Sequence, residues 1–176
     1  MAAIDAANAA DPNRVIIEGE DLPLALGQGR RADAWVVRLA PNAGDEVRLA
    51  ARAHHLRRWL VPRTSYPPGR AGYLRWRRDQ KERHAIEVAE LLRGAGYADA
   101  FVARVTDLVV RRGLGTDPET QLVEDAACLV FAETQLAEFA ARFEADKLNA
   151  VLTKTRAKMS PGAALVLDRM LPTLAG

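Results

Sequence analysis

The chain has 176 residues, 49% of them hydrophobic and 27% charged, which is enough for one domain with a proper buried core. Its formal net charge is only +2, and its single cysteine, Cys128, excludes an intramolecular disulfide and fits a reducing, cytoplasmic setting. No apolar run approaches the roughly 18 residues of a spanning helix, and Met1–Asp5 carries neither the basic nor the apolar region of a signal peptide, so we expect a soluble protein without membrane contact.

Helical spacing dominates the chain. A short helix is predicted over residues 4–10, stopped by Asp11-Pro12. Val15–Glu18 is the only β-branched run; it is too short for a sheet and reads as an extended connector. A second helix fits 22–39, ended by Ala40-Pro41. Asn42 or Asp45 can cap a third, running over 46–60 through a double histidine. Pro62, Pro67, Pro68 and Gly69 then force a loop. A long helix follows over 71–93, stopped by Gly94-Ala95-Gly96, and another over 98–112 is closed by Gly113 and Gly115. Asp117-Pro118 is a good helix start, with the acid at the cap and the proline in the first turn, and that helix extends to Phe143. Two last helices are expected over 146–159 and 161–171, with Ser160 as a cap. The sum is an all-α, single-domain helical bundle with its core at about 22–145 and the C-terminal helices, 146–172, packed on it.

Charge is distributed unevenly along this pattern. The segment from Arg52 to His84 holds all three histidines and ten basic residues (Arg52, Arg57, Arg58, Arg63, Arg70, Arg75, Arg77, Arg78, Lys81, Arg83) against two acids, Asp79 and Glu82. Outside it the chain is net acidic. Arginine outnumbers lysine by 21 to 4, a skew that a GC-rich genome explains, so the clustering is informative and the number is not.

On a continuous helix His54 and His55 point about 100° apart. His55 then shares a face with Arg52 and Trp59. Arg77, Lys81 and His84 form one stripe on the next long helix, and Gln121, Glu124, Asp125 and Cys128 form another further on. Histidines and an aspartate converging from neighbouring helices suit a divalent metal, which would lower the pKa of a bound water and polarise a phosphoryl oxygen. On this reading His55, His84 and Asp125 are metal ligands (Mn, Co, Ni, Fe or Zn), and His54 and Glu124 are auxiliary ligands or acid/base groups. Arg58, Arg63, Arg70 and Arg77 would clamp a phosphate. The opposite reading stands beside it: one packing histidine, one surface histidine, and acids paired with arginines. Cys128 reads as a small core residue.

The runs Ala50-Ala51-Arg52-Ala53-His54-His55-Leu56-Arg57-Arg58-Trp59, Pro62-Arg63, Arg70-Ala71-Gly72-Tyr73-Leu74-Arg75-Trp76-Arg77 and Glu124-Asp125-Ala126-Ala127-Cys128-Leu129-Val130-Phe131 resemble domain-of-unknown-function family 4202, a name that implies no reaction. A more distant likeness is to the HD-domain metal-dependent phosphohydrolases, which are helical. Leu49–Leu56 resembles the helix carrying their His-Asp pair, with His54 at the histidine position and His55 in place of the aspartate. His84-Ala85 is similar to a later histidine of that family, and Asp125 to its final aspartate. No histidine stands near Arg30–Trp35, where the first of that set would fall.

Two functions follow as expectations. One is an HD-like protein that binds a phosphorylated small molecule, such as a nucleotide, and hydrolyses it with a metal. The other is a non-catalytic module whose basic Arg52–His84 surface, with Trp59, Tyr66, Tyr73 and Trp76 interleaved, binds RNA or an acidic protein. Gly69-Arg70-Ala71-Gly72 opens a helix and offers a further place for a phosphate. It lacks the Walker lysine and the dinucleotide fingerprint.

Overall fold

The computed structural model describes residues 1–142 and 144–174. In chain order the elements are α1 (Ala2–Asn8), β1 (Arg14–Ile17), β2 (Glu20–Pro23), α2 (Leu24–Leu39), α3 (Asp45–Arg52), α4 (Gly69–Gly94), α5 (Asp99–Val110), α6 (Pro118–Arg142), α7 (Ala145–Arg156) and α8 (Pro161–Leu174). Two short 3₁₀ turns, Arg58–Leu60 and Arg63–Ser65, lie between α3 and α4. The fold is therefore mostly helical, as the periodicity predicts. The predicted end of the sixth helix at Phe143 lies outside the described residues.

The first departure is at the β-branched run. Val15–Ile17 is no free connector but one arm of a two-stranded antiparallel hairpin, with Val15 opposite Leu22 and Ile17 opposite Glu20. Glu18 and Gly19 both have positive φ, 53° and 83°, the backbone of a two-residue type I′ turn, which matches strand twist. A lone hairpin is marginal in water. This one is held because α2 turns a glycine toward it: a Cβ on Gly27 would come within 2.9 Å of both Ile17 Cδ1 and Val15 Cγ1.

The second departure shapes the site. The helix predicted over 46–60 ends at Arg52, before the double histidine. Local hydrogen bonds displace the helical ladder there: His54 Nδ1 lies 2.8 Å from the Ala51 carbonyl, and the Arg57 amide donates to Asn8 Oδ1 on α1 (2.9 Å). Arg57 itself is left-handed, with φ 49°. The chain thus reverses at 53–57, and the angular argument for His54 and His55 on one helix does not apply.

The core lies where α2, α3, α5 and α6 meet, with α4 folded back on α5. Its side chains include Trp35, Val36, Val47, Leu49, Leu56, Val88, Val105, Leu108, Val123 and Leu129. Close approach is built in at Gly29, where a Cβ would sit 2.6 Å from the Arg52 carbonyl oxygen. Asp117 caps α6 through its Oδ1, accepting from the Glu119 and Thr120 amides. Ser160 caps α8, its Oγ accepting from the Ala163 amide. Both caps fall where the sequence places them. No helix among the described residues is long and apolar enough to cross a membrane.

The proline loop is braced by its own arginine. Arg63 donates to the Tyr66, Pro67 and Gly69 carbonyls at 2.9, 2.8 and 3.2 Å. Pro67 then presses on the start of α4, so that a Cβ on Gly72 would stand 2.0 Å from the Pro67 carbonyl oxygen. Backbone cannot swing aside as a side-chain tip can, so Gly72→Ala is expected to destabilise by about 1–3 kcal/mol, the usual cost of overpacking. Urea denaturation measures it; a loss near zero would mean that the loop yields freely.

Candidate anion-binding site

Four of the ten cations in the Arg52–His84 segment are neutralised by carboxylates. Arg52 pairs with Asp5 at 2.6 Å and Asp33 at 3.4 Å. Arg83 and Arg57 share Glu87. Arg78 meets Asp79 and Glu82. Arg63 is spent on loop carbonyls, so its expected role as a phosphate clamp gives way to holding the loop. Among the described residues Arg58, Arg70, Arg75, Arg77 and Lys81 have no carboxylate partner. Arg70 and Arg75 are exposed, whereas Arg58, Arg77 and Lys81 are half-buried, with Arg58 close enough to the three histidines to act on them.

Arg58 is held by α4. Gln80 Nε2 donates to the Arg58 and Val61 carbonyls at 3.1 and 2.6 Å, and Trp76 Nε1 donates to Val61 at 2.9 Å. Arg83 adds a hydrogen bond to the Arg57 carbonyl. These bonds fix the short turn after the histidines and lay the Arg58 guanidinium over the Trp76 ring, 4.4 Å from its centroid. Burial pushes Arg58 down to about 10, and the Arg77 and Arg83 charges act in the same direction. It remains a cation at neutral pH. Lys81 is also lowered, first by burial and then by the Arg111 charge.

The histidines sit against these cations and are neutral. His54 is buried and pushed down to about 3, by burial first and then by Arg111. His84, on α4, is 1% exposed and pushed down to about 2, by burial, then Arg83 and Arg58. His54 Nε2 and both ring nitrogens of His84 have no hydrogen-bond partner of good geometry among the described residues. His55 lies with its ring centroid 4.0 Å from that of His54 and is held well below its ordinary value by burial, then by His54 and Arg58.

The tautomer of His55 is set by a chain of hydrogen bonds from α6. The Thr134 hydroxyl donates to the Val130 carbonyl (2.8 Å), so its oxygen accepts from Gln28 Nε2 (3.1 Å). That fixes the Gln28 amide with Oε1 toward His55 Nδ1, 2.7 Å away. His55 Nδ1 therefore carries the proton and Nε2 presents a lone pair.

Arg111 and Glu124 form the floor of the cluster. Arg111 occupies a left-handed position at the end of α5, φ 66°, and its Nε donates to Glu124 Oε2 at 2.9 Å with both side chains under 10% exposed. Lys158 reaches the other carboxylate oxygen at 3.5 Å. Burial pushes the Glu124 carboxyl up, but the Arg111 and Lys158 charges outweigh it and hold the group below its ordinary value. The position expected to be acid or base is thus an ionised partner of two cations.

Asp125 is engaged elsewhere. Its Oδ2 accepts from the Ser160 hydroxyl at 2.5 Å, and its Oδ1 accepts from the Ser160 amide and the Gln121 side chain, each at 2.9 Å. It anchors the start of α8 and lines a groove of about 590 Å³ between the α2–α3 turn and α8, a groove that no histidine lines. Among the described residues no three His, Cys, Asp or Glu side chains form a group that would hold a metal ion. The donor set expected at His55, His84 and Asp125 therefore does not fit a metal: its one acid is occupied, and its histidines lie near the charges of Arg58, Arg83 and Arg111. Cys128 is buried and its thiol is pushed up to about 12 by burial and Glu124, as a core residue would be.

The family model described as "Domain of unknown function (DUF4202)" matches residues 1–173. The chain belongs to that family. No curated protein and no solved structure matches it. What this DUF4202 chain brings together is His54, His55, Arg58, Arg77 and His84 from the residues singled out in the sequence, with Glu124 beneath them. Arg63, Arg70 and Asp125 stand apart in function. Sequence reasoning missed Gln28, Arg111, Thr134 and Lys158. Lys81 was visible, since it shares a stripe with Arg77 and His84. Gln28 also left a signal, a polar residue between two glycines in a helix that must pack tightly.

Proposed function

We propose that this protein binds a phosphorylated small molecule, with the phosphate held by Arg58 and Lys81, assisted by Arg77, against the neutral wall of His54, His55 and His84. The observation that carries the reading is Arg58: a cation withdrawn from water, repelled by neighbouring cations, with no carboxylate partner among the described residues. Desolvating a charge is costly unless something compensates it, and a planar fork over a tryptophan is the arrangement best suited to a bidentate phosphate. No step through a metal is derived, because the donors do not fit one.

Isothermal titration with inorganic phosphate and with a nucleoside monophosphate at low salt tests this. Binding is expected in metal-free buffer and is expected to fall about tenfold to a hundredfold in Arg58→Met, the range for losing a charge-assisted pair. The same variant keeps contact with Trp76 and is expected to be at least as stable as the parent, since a desolvated, repelled charge has gone. Phosphatase activity that appears only with added Mn²⁺, Co²⁺ or Ni²⁺ would favour the metal-dependent hydrolase instead. Binding confined to single-stranded RNA, steeply salt-dependent and unchanged in Arg58→Met, would favour the exposed Arg70 and Arg75 surface.

A further inference from the structure

We infer that the site selects an anion that brings its own hydroxyl, because His55 offers a hydrogen-bond acceptor in the middle of a cationic cluster. The inference rests on the phosphate reading above and deepens it. A pocket lined only by arginine and lysine attracts tetrahedral dianions alike. His55 breaks that equivalence.

The geometry comes from α6 and α2 rather than from the site itself. The Val130 carbonyl takes the Thr134 proton, the Thr134 oxygen takes the Gln28 N–H, and the Gln28 carbonyl takes the His55 Nδ1–H. Each link has one orientation, because a carbonyl at one end can only accept. Gln28 is 1% exposed, so it has no water to turn toward. His55 Nε2 is left as an acceptor with no hydrogen bond of its own among the described residues. Around the ring stand the His54 ring, its centroid 4.0 Å from that of His55, the neutral His84, and the charges of Arg58 and Arg111. The surrounding cations oppose conversion of this acceptor into a donor by protonation.

An anion oxygen placed there without a hydrogen would set lone pair against lone pair. An oxygen that carries a hydrogen donates to Nε2 while its neighbours accept from Arg58 and Lys81. Hydrogen phosphate satisfies this, and so does a phosphate ester with a hydroxyl group beside the phosphate, as on a sugar. Sulfate has the same charge and shape and no hydrogen to give. Sites built around one buried hydrogen bond discriminate strongly against a ligand that lacks the matching group.

The test is titration of the full chain with inorganic phosphate and, separately, with sodium sulfate at about pH 8, where phosphate is a dianion with one hydrogen. The wild type is expected to bind phosphate at least about tenfold more tightly. In His55→Gln the amide can present an N–H, and the ratio is expected to fall toward one as sulfate binding gains relative to phosphate. Thr134→Val, remote from the ligand, frees the Gln28 amide to turn over and is expected to lower the ratio too. Equal binding of the two anions by the wild type overturns the inference and leaves the phosphate reading standing. Undiminished selectivity in both variants also overturns it, since the discrimination would then lie elsewhere. Failure of either anion to bind removes both.

Discussion

Glu124→Ala is expected to cost the fold about 3–5 kcal/mol, the penalty of removing one partner from a buried ion pair. The carboxylate lies among Arg111, Lys158, Lys81 and His54. Arg111 cannot retreat to water when it is gone: its side chain is 7% exposed, its Nη1 donates to the Leu108 and Val109 carbonyls at 3.0 Å each, and its backbone holds a left-handed φ at the end of α5. An uncompensated guanidinium would remain next to Arg58 and Lys81. Replacing both partners, as in Glu124→Ala with Arg111→Met, is expected to recover much of the loss, because the cost lies in the stranded charge. Equilibrium urea unfolding of the single and double variants reads this directly. A single-variant loss below about 1 kcal/mol would place the pair among ordinary surface ion pairs and remove the floor from the site.

The second large effect is acid sensitivity that begins well above the carboxylate range. His54 and His84 are held neutral at about 3 and about 2 in the folded chain, against about 6.5 when unfolded. A lowered folded value means that the unfolded state binds protons first. Stability is therefore full above about pH 6.5 and is lost as pH falls from there toward 3. Each histidine contributes about 1.4 kcal/mol per pH unit within that window, so the two together remove about 3 kcal/mol by pH 5.5. Denaturant unfolding at pH 7.5 and 5.5 measures the difference. His84→Leu exchanges a ring whose nitrogens find no well-placed partner among the described residues for an apolar side chain; it is expected to be neutral or stabilising at pH 7.5 and to remove about a third of the pH dependence, because His55 is held down as well. A stability that stays level to pH 5 would contradict the buried, neutral histidines. Saturating phosphate is expected to flatten the same profile, because a bound anion opposes the cations that hold the histidines down.

Helix boundaries and caps were legible because they depend on neighbours in sequence. Asp117-Pro118 and Ser160 act where the pattern places them. The hairpin at Arg14–Pro23 and the break after Arg52 were not legible, and for one reason: each is decided by a distant partner. Gly27 on α2 makes room for Val15 and Ile17, and Asn8 on α1 takes the Arg57 amide out of the helix. The same holds for charge. Ten basic residues look like one basic surface in the sequence, but Asp5 and Asp33 arrive from other helices, and Glu87 from just beyond the segment on α4, and cancel several of them. What remains is smaller than the sequence suggests: exposed Arg70 and Arg75, and the half-buried Arg58, Arg77 and Lys81. Asp125 shows the limit from the other side. Its stripe with Glu124 was correct, yet Ser160, 35 positions later, claims its carboxylate.

The central claim is a phosphate site at Arg58, and the most direct measurement is the position of a bound arsenate, a heavier mimic of phosphate whose dianion also keeps one hydrogen, in crystals soaked at low salt. The expected result is one strong site with its oxygens in hydrogen-bond reach of the Arg58 guanidinium and the Lys81 ammonium, beside His55, and lost in Arg58→Met crystals. Arsenate bound only at the exposed start of α4 near Arg70, with the histidine cluster empty, would contradict it.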